Sequence, residues 1–205
     1  MNEAKAEILR RIRSAGKIAL PDIPRNYRSH AEGDIVSEME HALVDYTAEV
    51  TYANEETLPE AIDNALRGAS SVAVPPGLSE EWKAAAANHG RQVRVDEPAL
   101  SKEELDHTDA VLTAARVAVS LSGTIMLDGA PDQGRRAITL IPDMQVIVLR
   151  KDQIVSTVPE AVAVLSEHPE RPVTWIAGPS ATSDIELVRV DGVHGPRTLR
   201  VIILE

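Results

Sequence analysis

Apolar residues recur along this chain at two spacings, one helical and one extended. Ile8, Leu9 and Ile12 share one face of a charged stretch, which predicts a helix over residues 3–15 that stops at Gly16. Pro21-Asp22-Ile23-Pro24 and the residues up to Gly33 then break regular structure. Residues 1–33 therefore read as an N-terminal helical arm joined to a body of residues 34–205. In that body Ile35, Met39, Ala42, Leu43 and Tyr46 predict an amphipathic helix over 34–47. A strand at 49–53, a helix at 58–66 and a buried-type strand at 71–74 follow, the last stopped by Pro75-Pro76-Gly77. A helix over 80–89 ended by Gly90 and a strand at 93–95 complete this half. Alternating strands and helices with short connections indicate an α/β domain with a mostly parallel sheet.

Beyond residue 109 the pattern changes. Apolar runs at 110–113, 117–121 and 124–127 follow one another with no helix between them, and Ser122-Gly123 makes a turn before the last. Some antiparallel pairing is expected here. A strand at 145–149, a helix at 157–166 and strands at 173–177 and 199–204 end the chain. The predicted fold is a parallel-rich mixed sheet flanked by helices, with no internal repeat.

Composition narrows the chemistry. The 205 residues include no Phe and no Cys, so Ala, Val, Ile and Leu must fill the core. Disulfides, a thiolate nucleophile, a thiolate-bound metal and an iron–sulfur cluster held by the chain's own thiolates are excluded. The charged start lacks the apolar stretch of a secretory signal. No apolar run approaches the ~18 residues of a membrane span, so the cytoplasm is the expected location. The net charge of −11 argues against nucleic acid as a partner. That charge is uneven. Residues 1–28 carry seven Lys/Arg against three Asp/Glu, residues 29–109 five against eighteen, and residues 110–205 nine against eleven. Within the body, an anionic ligand meets least repulsion in the last, near-neutral segment.

Three loops there carry candidate chemistry. In Trp175-Ile-Ala-Gly-Pro-Ser-Ala-Thr-Ser-Asp-Ile-Glu186 an apolar strand runs into small residues. Gly178 lets backbone N–H groups approach a ligand, and Ser180 and Thr182 add hydroxyl donors. Thr182, Ser183 or Asp184 can cap a following helical turn, whose dipole suits phosphate or carboxylate. Next, Asp191-Gly-Val-His-Gly-Pro-Arg197 combines a rigid Gly-Pro turn with His194, a residue type that titrates near neutral pH, and Arg197, which can hold an anion bidentately. Third, Ser122-Gly123-Thr124 can line a pocket with hydroxyls. Arg135 and Arg136 follow a Gly-rich segment and can close over a ligand, although alone they read as a solvated basic pair. Glu186 is the carboxylate beside the first loop that can act as nucleophile or base, and His194 is the second acid–base candidate. Phosphate-loop, dinucleotide, zinc-protease and nucleophile-elbow motifs are absent, and no two His stand at metal-ligand spacing.

The pair Gly178-Pro-Ser-Ala-Thr-Ser-Asp-Ile-Glu186 and Val193-His-Gly-Pro-Arg197, followed by an apolar strand, resembles the lactate utilization protein C family, also called the LUD domain. Ser122-Gly123-Thr124 stands where that family usually has Thr-Gly-Thr, and the approach from Asp109 and the segment 142–152 are similar too. The resemblance implies a fold like that of the sugar-phosphate isomerase and CoA-transferase superfamily, with a ligand cleft at strand ends. It also implies a bacterial pathway oxidising L-lactate to pyruvate, with two iron–sulfur proteins as partners. The missing Cys fits a subunit that leaves the clusters to those partners. Two functions remain open on this reading. One is an accessory subunit that binds a small anion in a C-terminal cleft. The other is a stand-alone CoA- or phosphate-ligand transferase or isomerase using Glu186 or His194. A homodimer is compatible with such a domain, but no residue argues for one.

Overall fold

A computed structural model describes residues 3–16, 22, 24, 33–182, 190–191 and 195–205. Helix α1 (Glu3–Ser14) forms where its spacing predicts but buries none of its residues. Glu7 bonds Arg10 and Arg11, three and four residues on, at 2.7 and 2.8 Å, the i,i+3 and i,i+4 pairs that support an exposed helix. In the body, α2 (Ile35–Asp45) starts at Asp34, whose carboxylate accepts the Val36 and Ser37 N–H groups at 3.1 and 3.2 Å. Such a cap contributes about 1 kcal/mol. Met39 and Leu43 on the inner face of α2 are fully buried, each worth roughly 1.5–3 kcal/mol of transfer free energy.

Then come β1 (Glu49–Ala53), α3 (Leu58–Ala65), β2 (Ser71–Val74), α4 (Glu80–Ala86), β3 (Gln92–Val95), α5 (Lys102–Asp106) and β4 (Ala110–Ala114). The second half holds β5 (Val117–Val119), β6 (Thr124–Leu127), β7 (Met144–Arg150), β8 (Ile154–Val155), α6 (Val158–Leu165), β9 (Thr174–Ile176), β10 (Ala181–Thr182), β11 (Val190–Asp191) and β12 (Thr198–Leu204). Six strands in the order β1-β12-β7-β4-β2-β3 make one sheet whose pairs are all parallel. The expected antiparallel pairing is present, but in a separate sheet, β8-β5-β6-β9, where β6 runs against both β5 and β9. The α/β fold class is as expected.

Alternation along the strands sorts the layers. Val146 and Val148 of β7, with Ile202 and Leu204 of β12, face a core closed by α3 and α4. Ile147 and Leu149, with Val201 and Ile203, face the opposite way, onto α2 and onto Ala118, Ile125 and Leu127 of the small sheet. The small sheet thus takes the place of a flanking helix, and α6 covers its outer side through Ala161. The core is aliphatic, as the absence of Phe requires, while Trp175, Tyr46 and Tyr52 are exposed. Asp109 ties the starts of β2 and β4 together: one carboxylate oxygen accepts from the Ser70 N–H, the Ser71 N–H and the Ser71 hydroxyl at 2.7–3.1 Å.

Two local expectations are corrected. The helix expected over 80–89 ends at Ala86, and a short 3-10 turn containing a left-handed His89 (φ 58°) follows. The extended run expected to reach Leu121 ends at Val119, with a 3-10 turn over Ser120–Ser122. The helical turn expected after Thr182, Ser183 or Asp184 falls outside the described residues. Before it, Ala181 and Thr182 are extended and pair with Asp191 and Val190.

Candidate functional site

The candidate loops meet through their glycines. Gly178 follows β9 with φ 85°, and a Cβ there would lie 2.7 Å from the Tyr46 Cβ and 3.1 Å from the Tyr46 carbonyl oxygen. Gly123 has φ 59° and presses on the Ala42 backbone, where a Cβ would lie at 3.0 Å. Ala42 and Tyr46 are one helical turn apart on α2 and just beyond it. Ile125 of β6 lies opposite Ile176 of β9, so the antiparallel ladder carries both turns to the same end. The Ser122-Gly123-Thr124 turn and the Gly178-Pro179-Ser180 loop are therefore neighbours, seated on α2 by close backbone contact. The Ser122 and Thr124 hydroxyls bond each other at 2.8 Å.

The second motif joins the first at Ser180, whose N–H donates to the Pro196 carbonyl at 2.8 Å. Gly195 lies against it, close enough that a Cβ would stand 3.4 Å from that of Ser180. Arg197 turns elsewhere. Its Nη1 donates to both carboxylate oxygens of Asp143 at 2.7 Å, beside a cavity bordered also by Asp106 and Asp109 at the starts of β4, β7 and β12. Three carboxylates there repel an anion. Asp184, Glu186 and His194 lie outside the described residues, as does the side chain of Thr182.

What the loops enclose is a cleft of about 450 Å³ over the first residues of β7 and β12. Gly178, Ser180 and Gly195 form one wall, and Leu140, Leu199 and Ile176 supply apolar surface. Arg136 and Thr139 come from the 3-10 turn Arg136–Thr139. Those two and Thr174 also border an adjoining cavity of about 390 Å³, so Arg136 stands between the two spaces. This size and mixture suit a small-molecule site.

The two adjacent arginines have different fates. Arg135 pairs with Asp96 through Nε at 2.7 Å and Nη2 at 3.0 Å, and the carboxylate holds its guanidinium above the ordinary arginine range. Arg136 has no hydrogen bond or ion pair among the described residues, and it is the one charged side chain in the larger cleft's described lining. Gln145, 1% exposed, also lines that cleft, and its amide nitrogen has no hydrogen-bond partner among the described residues. Gln145 is the position that loop-based reasoning passes over. Its signal is a lone amide opening an otherwise apolar strand. A fourth, smaller space of about 220 Å³ lies at the far ends of β4 and β7, where burial raises the Asp132 carboxyl above its ordinary range. Among the described residues no group of three or more His, Asp and Glu is placed to hold a metal. No described helix is long and apolar enough to cross a membrane.

Comparison with known proteins gives this geometry its relatives. A model of the LUD domain matches residues 36–204. A lactate utilization protein C from Deinococcus radiodurans is 47% identical over 98% of this chain and 96% of its own length. Another from Bacillus velezensis is 26% identical over 93% of this chain and 88% of its own. A crystal structure of a DUF162 family protein from Deinococcus radiodurans, 44% identical, superposes with a TM-score of 0.72 over 83% of this chain and 96% of that one. The chain belongs to the LUD domain family, among the lactate utilization protein C sequences.

Proposed function

We propose that this protein is the accessory, non-iron–sulfur subunit of a bacterial system that oxidises L-lactate to pyruvate in the cytoplasm. It works beside iron–sulfur proteins and holds a small anionic ligand in the cleft over β7 and β12. Residues 1–33 form a basic arm outside the 34–205 body. The observation that carries the reading is the 47% identity along nearly the whole of both chains to a protein named for lactate utilization. Two features support it. The chain contains no Cys, so any cluster held by thiolates alone is ligated by other chains. Its cleft contains an arginine with no partner among the described residues, in a protein with a net charge of −11. The alternative of a stand-alone transferase or isomerase rests on Glu186 and His194, and no described contact favours it.

The test is genetic and biochemical. Deleting the gene in a strain with no second copy is expected to abolish growth on L-lactate and leave growth on pyruvate intact. A tagged chain purified anaerobically is expected to carry iron and acid-labile sulfide in partner proteins. Normal growth on lactate after deletion refutes the proposal.

A further inference from the structure

We propose that the cleft selects a monocarboxylate, held by the Arg136 guanidinium and the Gln145 amide, with its carbon chain against Leu140, Leu199 and Ile176. This assignment rests on the proposed reading of the cleft as an anion site and names the class of anion.

Arg136 stands apart from every other described arginine of the body, each of which donates to a partner. Arg67 and Arg200 donate to Glu49, Arg91 to Asp63, and Arg94 to the Glu104 carbonyl. Arg116 meets Glu167, Arg135 Asp96, Arg150 Glu55, Arg171 Asp128 and Arg197 Asp143. With acids in excess, an arginine without one is held away from them by the fold. Its neighbour Arg135 has taken Asp96, which leaves Arg136 as the free cation, among the described residues, at the junction of the two cavities.

Gln145 supplies the second, independent observation. It pairs across the sheet with Leu199, on the face where β7 otherwise presents Ile147 and Leu149 to the core. An apolar residue would fill that position without loss, yet an amide stands there with a buried nitrogen that has no partner among the described residues. Buried polar groups nearly always have a partner, and an exception calls for a specific reason. A ligand in the cleft that Gln145 lines provides one. The terminal torsion of the amide is soft, so it can turn its donor toward that ligand.

Charge then sets the ligand class. One guanidinium and one neutral amide balance a single negative charge, and each can donate to a carboxylate oxygen. No second described cation lines this cleft to meet the dianion of a phosphate monoester. The apolar wall and a volume of about 450 Å³ leave room for a chain longer than three carbons.

The test is isothermal titration of the full-length protein with L-lactate, 2-oxobutyrate and 2-oxohexanoate, with hexanamide and glycerol 3-phosphate as neutral and dianionic controls. The acids are expected to bind with affinity rising up to about fourfold per added methylene, and the controls to bind at least tenfold more weakly. Arg136→Gln is expected to weaken 2-oxohexanoate by about tenfold or more. Gln145→Met, which fills the same space without a donor, is expected to weaken binding yet raise the Tm of the ligand-free protein by about 2–6 °C. Equal binding by wild type and Arg136→Gln overturns the assignment and leaves the anion site to other residues. Tighter binding of glycerol 3-phosphate overturns the monocarboxylate class. A lower Tm with unchanged affinity in Gln145→Met removes Gln145 from the site. Binding of no probe overturns both this inference and the small-anion part of the proposed function, while the subunit assignment still stands or falls on growth and co-purification.

Discussion

Replacing Gly178 by Ala separates two costs that the structure places on one residue. The first is conformational. At φ 85° an L-residue sits where its Cβ crowds its own backbone, at about 1–2 kcal/mol. The second is contact. The new Cβ would lie 2.7 Å from the Tyr46 Cβ, about 1 Å inside the ordinary ~3.5–4.0 Å separation of carbon atoms. Overpacking of this kind costs roughly 1–3 kcal/mol. Together they predict a loss of about 2–5 kcal/mol. At about 2–4 °C per kcal/mol for a chain of this length, the Tm should fall by roughly 4–20 °C. Gly68 supplies the control. Its φ is 88°, and among the described residues nothing beyond its chain neighbours lies within 4 Å of the position its Cβ would take. Gly68→Ala therefore pays only the first cost, and the difference between the two variants measures the Tyr46 contact. Thermal unfolding followed by far-ultraviolet circular dichroism reads both. If Gly178→Ala and Gly68→Ala melt within about 1 °C of each other, the loop is not seated on the end of α2, and the account of how the candidate loops are positioned fails.

Burial raises the Asp132 carboxyl, with repulsion from Asp128 adding to it, so the folded protein binds a proton there more tightly than the unfolded chain. Stability is then lost as pH rises from the unfolded value near ~3.9 through the higher folded one. Asp132→Asn should accordingly raise the Tm at pH 7 and leave it unchanged at pH 3, and equal effects at both would contradict this. Asp128, 2% exposed, accepts from Arg171 at 3.0 Å and lies 3.8 Å from the Arg116 Nε. Its replacement by Ala leaves two partly buried guanidiniums together, costs about 3 kcal/mol, and should lower the urea midpoint by roughly 1–2 M. Arg197 and Asp143 are 57% and 67% exposed, so Arg197→Ala should change stability by less than ~1 kcal/mol in the same urea titration. A larger fall would show that the pair is shielded from water.

The sequence made the repetitive parts of this fold legible because periodicity reports burial. Ile35, Met39 and Leu43 announce α2, and the uninterrupted apolar run of β2 announces a strand covered on both faces. Short elements leave no such trace. β8 and β10 are two residues each. α5, five residues, is signalled by its cap alone: Ser101 accepts the Glu104 N–H while the Glu104 side chain accepts the Ser101 N–H. Alternation also shows which face a strand buries without showing which sheet it joins, so the separation of β5 and β6 from the main sheet was not readable. The site divides in the same way. The glycines and prolines of the two loops mark irregular backbone, and Ser180 and Pro196 do meet. Arg197 looks like an anion ligand in sequence because Asp143, 54 residues away, cannot be seen beside it. Arg136 and Gln145 are distinguished by what they lack, and a missing partner is a property of three-dimensional surroundings.

The strand order carries a consequence for how the protein is made. β1, near the start of the body, pairs in the main sheet only with β12, and β12 in turn separates β1 from β7. During synthesis β1 therefore emerges long before its partner, since each of its residues pairs with one 151 positions later. Until residue 204 has left the ribosome, β7 stands as an exposed apolar edge, a template for strands of other chains. Closure of the domain is thus a late event set by its final strand. A nascent chain stalled before Thr198 should remain a client of chaperones and proteases even though most of its core residues have already been made.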